Sequence, residues 1–200
     1  MLEGTAGAGK STLLEALAEE LRDRGESVTT VPEFADAEVG QLLARTLTDY
    51  DRETYRKRAL ALTADTLASL AYQAETVVEP ALSDGDVVIS ERWIDTVTVY
   101  NTPLVAEREG VSMAETVSEF RAATPDPDLT VLLTVDDETR RERFPDHRPN
   151  LLDDGAVADR FAERQRRYRD RLADREDAVV YENTADVSTA VAEIAAEIPR

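Results

Sequence analysis

Cysteine is absent from the 200 residues, which excludes a disulfide framework, a thiolate metal site and a cysteine nucleophile. Histidine occurs once, at His147, so a histidine-built zinc centre is excluded as well. Lysine is nearly as scarce. Lys10 and Lys57 are the only ones, and arginine carries almost all the positive charge. No apolar run approaches the roughly 20 residues that a membrane helix requires, and no charged-then-apolar leader of the secretory type is visible. The expectation is a cytoplasmic protein with no membrane partner.

Acid is what the chain has in excess. Asp and Glu number 42 against 23 Lys and Arg, a formal net charge of -19. Such a charge repels a nucleic-acid backbone, so no nucleic-acid partner is expected. A solvated, arginine-and-carboxylate surface also suits high salt, where screening removes the self-repulsion, and a halophilic protein is expected on that ground. With 42% hydrophobic content, 200 residues suffice for one α/β domain, and a single domain over 1–200 is expected.

Strand and helix patterns alternate, which predicts a parallel sheet with crossover helices. Leu13, Leu14, Leu17 and Leu21 recur at helical spacing, and Gly25 stops that helix. Strands are predicted at 27–31, 86–90, 129–135 and 178–181. Helices are predicted at 39–48 and 52–79, the latter ended by Pro80 and the turn Ser83-Asp84-Gly85. The segment 137–175 is dense in arginine and helical, with an interruption at 144–150.

Gly4-Thr5-Ala6-Gly7-Ala8-Gly9-Lys10-Ser11-Thr12 is a phosphate-binding loop at the mouth of a helix. Glycines at 4, 7 and 9 let successive N–H groups turn inward into a concave anion site. Lys10 is placed to reach the β- and γ-phosphates of ATP, and the Ser11 hydroxyl to ligate Mg2+. The central strand ahead of such a loop usually has five or six residues, and only Met1, Leu2 and Glu3 precede Gly4. The expectation is therefore a chain that lacks roughly four to eight residues at its start.

Glu91-Arg92-Trp93-Ile94-Asp95-Thr96-Val97-Thr98-Val99-Tyr100-Asn101, after a buried strand, resembles the Asp-Arg-Tyr segment of thymidylate kinases. The resemblance spans nearly the whole chain. It takes in the opening from Leu2 through the loop, Pro32-Glu33 with Gly40, Pro80-Ala81-Leu82, Pro127-Asp128-Leu129, and Phe161 through Tyr168. It implies a three-layer P-loop fold, a five-stranded parallel sheet flanked by helices, with an arginine-rich helical lid at 140–155. It further implies ATP and Mg2+, a nucleotide acceptor, and the homodimer that family members commonly form.

Carried over by position, Glu91 joins Ser11 at the metal, and Arg92 binds the acceptor phosphate with Glu33, Thr96 and Tyr100 beside it. Gly7 stands where some family members carry a catalytic arginine. The lid must then supply one: Arg143 aligns best, with Arg140, Arg141 and Arg148 as further candidates and His147 on the lid loop. The loop Asn183-Thr184-Ala185-Asp186 takes the place that packs on adenine, or is a plain turn and N-cap.

The departures cluster at the acceptor. Ala6 replaces an aspartate that contacts the sugar, Leu62 and Thr66 stand for a stacking phenylalanine and an arginine, and Val97 replaces a polar residue. Arg56 and Arg58 are either surface residues or substitutes for the missing grip. Three readings stay open: a deoxynucleoside monophosphate kinase with dTMP as the default acceptor, a kinase of a nucleoside or other small molecule with Glu33 as general base, and a nucleotide-binding regulator without turnover.

Overall fold

The computed structural model describes residues 1–36, 38–49, 52–143, 155–184 and 186–198. Along the chain, β1 (Leu2–Gly4) leads into α1 (Lys10–Asp23), and β2 (Val28–Val31) into α2 (Glu38–Asp49) and α3 (Arg52–Lys57). A continuous helical run follows: α4 (Ala59–Gln73), a π-helical turn (Ala74–Val78) and α5 (Glu79–Asp84), before β3 (Val87–Ser90). Next come α6 (Ile94–Thr96), a second π-helical turn (Val97–Asn101), α7 (Thr102–Glu109) and α8 (Ala114–Ala122). The remainder is β4 (Thr130–Thr134), α9 (Asp137–Arg143), α10 (Gly155–Leu172), β5 (Ala178–Glu182) and α11 (Val187–Glu197). Among the described residues no helix is long and apolar enough to cross a membrane.

Contacts divide the chain into two compact units, Met1–Glu26 with Pro127–Arg200, and Ser27–Asp126. In the first, β1, β4 and β5 pair in parallel in the order β1-β4-β5, with Glu3 opposite Leu132 and Leu132 opposite Val180. Every residue of β1 and β4 is buried, as expected of parallel strands covered on both faces. Leu13, Leu17 and Leu21 turn the inner stripe of α1 into this core, where Ala190 and Ile194 of α11 are buried too. A fully buried leucine of this kind contributes about 1.5–3 kcal/mol. Glu3 is completely buried, and the Tyr168 hydroxyl donates to its carboxylate at 2.8 Å.

In the second unit β2 and β3 pair in parallel, with Thr29 opposite Val88 and Thr30 opposite Ile89. All the expected strands thus form and all pair in parallel. The hydrogen-bonded ladders, however, make a three-stranded and a two-stranded sheet, which corrects the expected five-stranded one. β1 is short, 3 residues, and its backbone groups are engaged by β4; the Val131 N–H also bonds the Met1 carbonyl at 2.8 Å. So short a strand has few ladder groups for a second neighbour.

The helix expected at 52–79 is also corrected. It breaks at Arg58, whose φ of -111° and ψ of 21° are not helical, and it runs on through Pro80 to Asp84. Proline lacks an N–H and its ring crowds the preceding turn, so it usually ends a helix. Here the π-helical turn at Ala74–Val78 widens the backbone just ahead of Pro80, and the Glu79 N–H reaches back to the Ala74 carbonyl. Gly85, at φ 86°, then closes α5 as expected.

Candidate functional site

Each unit carries a cavity lined by several residues that the sequence singles out. In the first unit, a cavity of about 950 Å³, counting space open to solvent, is lined by Gly7, Gly9, Lys10, Ser11, Thr12, Arg143 and Asn183, among others. Lys10 opens α1, whose first turn has no acidic residue, so the positive end of the helix meets an incoming anion uncancelled. The Lys10 ammonium, 5% exposed as a residue, donates to the Thr5 carbonyl at 3.2 Å and is thereby folded against the loop.

Two of the glycines lining this cavity leave no room for a side chain. Gly9 has φ 87°, and a Cβ there would stand 2.5 Å from Asn183 Nδ2. That same amide donates to the Ala8 carbonyl at 2.7 Å, so Asn183 braces the loop from the end of β5. Gly7 has φ 80°, and its Cβ would meet the Arg140 side chain at 2.9 Å.

The expected lid arginines separate by position. Arg143 lines the cavity with Lys10 and Ser11. Arg140 is 1% exposed, with its guanidinium 3.8 Å above the centre of the Phe161 ring and its Nε donating to Asp137 at 3.0 Å, so it is built into the packing behind the loop. Arg141 is half-exposed and donates to Asp137 at 2.7 Å. The hydrogen bonds from Arg140, then Arg141, hold the Asp137 carboxyl below its ordinary range. Arg148, His147 and the rest of 144–154 lie outside the described residues, as does Ala185.

Asp186 is the N-cap of α11. It accepts from the Thr189 N–H at 3.0 Å, and the hydroxyls of Ser188 and Thr189 with that N–H pull its carboxyl down to about 2. Asp186 therefore supplies the N-cap anticipated as the simpler reading, while Asn183 reaches the phosphate loop.

In the second unit, a cavity of about 570 Å³, counted the same way, contains Glu33, Arg92, Thr96 and Tyr100 in its wall. Glu91 directly follows β3, with its N–H on the Val31 carbonyl at 2.8 Å. Arg92, the next residue, has φ 69° in a chain where every other positive φ belongs to glycine among the described residues. For a side chain with a Cβ this costs about 1–2 kcal/mol, and such strain collects at functional sites. The Ser90 hydroxyl donates to the Arg92 carbonyl at 2.8 Å and holds the turn.

Arg92 is 7% exposed; its Nε lies 2.8 Å from a Glu33 oxygen, its Nη1 donates to Thr96 at 3.4 Å, and its guanidinium is 5.3 Å from the Tyr100 ring centre. These residues, far apart in sequence, form one cluster. The walls are otherwise apolar and aromatic, from Phe34, Leu43, Leu70 and Trp93.

Leu62, expected at the acceptor, is buried at 2% exposure and is not among the lining residues. Thr66, Ser69 and Leu70 face the cavity instead, three positions of α4 at the i, i+3, i+4 spacing of one helical face. Val97 is fully buried in the core, whereas Asn101 lines the wall. Phe34, Ser69, Leu70 and Asn101 escaped the sequence reading. The helical spacing from Thr66 was the signal that could have found two of them. Arg56 pairs with Glu107 and lies away from this cavity, on a surface patch with Glu53, Lys57 and Arg108.

The model of the thymidylate kinase family matches residues 2–196. The chain is 27% identical over 194 residues to a thymidylate kinase of Thermosipho africanus, covering 96% of this chain and 92% of that one. It is 34% identical over 149 residues to a thymidylate kinase of Clavibacter sepedonicus, covering 72% and 65%. To a probable thymidylate kinase of Caldivirga maquilingensis it is 30% identical over 134 residues, covering 67% and 61%. The matches span about three fifths of the length of several of these curated relatives, 56% in one from Rhodopirellula baltica. With its phosphate loop, its strained Glu91-Arg92 turn and a family match from end to end, the chain belongs to the thymidylate kinase family.

Proposed function

We propose that this protein transfers the γ-phosphate of ATP to a deoxynucleoside monophosphate, with dTMP to dTDP as the default reaction. The observation that carries this reading is the convergence of Lys10, Ser11 and Arg143 on the phosphate-loop cavity. A second cation beside the lysine can stabilise the charge on a transferring phosphoryl group.

The acceptor oxygen attacks the γ-phosphorus while the bond to the bridging oxygen of ADP breaks, and no covalent intermediate on the protein is required. Lys10 and Arg143 stabilise charge on the transferring group, and the loop N–H groups orient the phosphates. Arg92 holds the acceptor phosphate, which is already ionised and needs little help from a base. Ser11 in the first unit and Glu91 in the second each carry a hard oxygen donor of the kind that suits Mg2+. That ion, when bound, neutralises phosphate charge.

A second reading has its own support. Arg92 is the one cation among the described residues lining the acceptor cavity, and it is already paired with Glu33 at 2.8 Å. That neutral pair suits an unphosphorylated hydroxyl acceptor, with Glu33 as general base. ADP release at high salt, measured against a panel of nucleosides and nucleoside monophosphates, separates the readings. Turnover led by dTMP supports the first and turnover led by a nucleoside the second. ATP binding without acceptor-dependent ADP would reject both and leave a nucleotide-binding regulator.

A further inference from the structure

A buried arginine ordinarily spends its N–H groups on partners. Arg140 does so only in part. It is 1% exposed, its Nε and Nη2 donate to Asp137, and its Nη1 has no hydrogen-bond partner among the described residues. The face of the Phe161 ring, 3.8 Å from the guanidinium, offsets some of the lost hydration without removing any charge.

That charge is incompletely matched. Arg140 and Arg141 share the Asp137 carboxylate, so two cations meet one anion. Asp137 is also 42% exposed, against 2% for the Arg140 side chain, and water screens the anion more than the buried cation. Asp136 and Glu138, beside it in the chain, are exposed as well.

Gly7 lines the phosphate-loop cavity, and the nearest atoms that a Cβ on Gly7 would meet all belong to Arg140, with its Cγ at 2.9 Å. Arg140 itself is not among the lining residues. It therefore packs against a residue of the cavity wall from the protein side. A field that acts through protein rather than through water keeps more of its strength.

We infer that Arg140, from behind Gly7, adds positive potential to the phosphate-loop cavity and so sets its preference for the more highly charged of two nucleotides, a triphosphate over a diphosphate. Acting without contact distinguishes it from Lys10 and Arg143 in the cavity wall. The inference rests on the kinase reading in taking this cavity for the donor's.

The test is calorimetric titration with ATP and with ADP, without acceptor and at one fixed salt concentration, so that it does not depend on turnover. Arg140→Met keeps the bulk beside Phe161 and removes the charge, and should lower the preference for ATP over ADP by about 3- to 10-fold. Arg140→Lys keeps the charge and should stay within about twofold of the wild-type preference. Asp137→Asn keeps an oxygen that can accept from Arg140 but removes the opposing charge. It should move the preference the other way, upward by about 2- to 5-fold, whereas loss of a merely structural contact would not favour the triphosphate. Equal losses for both nucleotides in Arg140→Met, the same loss of preference in Arg140→Lys, an unchanged or lower preference in Asp137→Asn, or no binding of ATP to the wild type would each overturn the inference. Asp137→Asn decides alone if Arg140→Met does not fold. If the preferences shift as expected but no acceptor is phosphorylated, the kinase reading fails and the Arg140 inference stands.

Discussion

The two cavities are made of different materials. The phosphate-loop cavity is built largely from backbone and charge: glycines at positive φ, the start of α1, Lys10 and Arg143. The acceptor cavity is built from side chains of β2's outgoing loop, α2, α3, α4 and the segment after β3, with one ion pair inside apolar walls. A site of the first kind is held by steric necessity over a short stretch of chain. A site of the second kind can exchange its side chains one at a time while the fold persists.

If the cavities serve donor and acceptor separately, substitutions should separate as well. Lys10→Ala should lower kcat on the order of 10²–10³-fold while leaving the dissociation constant of the acceptor unchanged. Arg92→Ala should weaken the acceptor by about 10-fold or more, with ATP affinity unchanged, since it removes a charge-assisted bond. Titrating each variant with each ligand checks both, and a crossed pattern would break the comparison.

A smaller effect sharpens it. Gly9→Ala places a Cβ at φ 87° and 2.5 Å from Asn183 Nδ2, against a left-handed penalty of about 1–2 kcal/mol. ATP affinity should fall about tenfold, with acceptor affinity intact, as read by the same titrations.

The smallest effect is one of pH. Asp186 titrates near 2 in the fold against an ordinary value of 3.8, because Ser188 and Thr189 donate to its ionised form. The unfolded chain therefore binds the proton more readily between those values. The stabilisation is complete above about pH 4 and fades as pH falls through about 2. Asp186→Ala should lower the Tm at neutral pH, and the gap from wild type should close on acidification. A gap that persisted at the lowest pH would mean that the cap does not act through its charge.

Much of this was legible in the sequence because it is local. The loop from Gly4 to Thr12 reads directly, since φ > 0 at Gly7 and Gly9 leaves glycine as the favoured residue. The strands at 28–31, 87–90, 130–134 and 178–182 formed within a residue or two of their expected limits. Pro80 misled because its effect depended on a π-helical turn that no propensity signals. Leu62 misled because a long helix shows several faces, and only packing says which one meets a cavity. Thr66, Ser69 and Leu70 were on the face that did.

By itself, then, the sequence determined a parallel α/β protein with a phosphate loop, because periodicity and glycine geometry act over a few neighbouring residues. Only the tertiary structure decided that Arg143 rather than Arg140 lines the loop's cavity and that Glu33 pairs with Arg92. It alone showed that Ser69 leaves its hydroxyl uncommitted at the acceptor wall. Those outcomes depend on which distant segments pack together, and contacts across tens of residues leave no local periodicity to read.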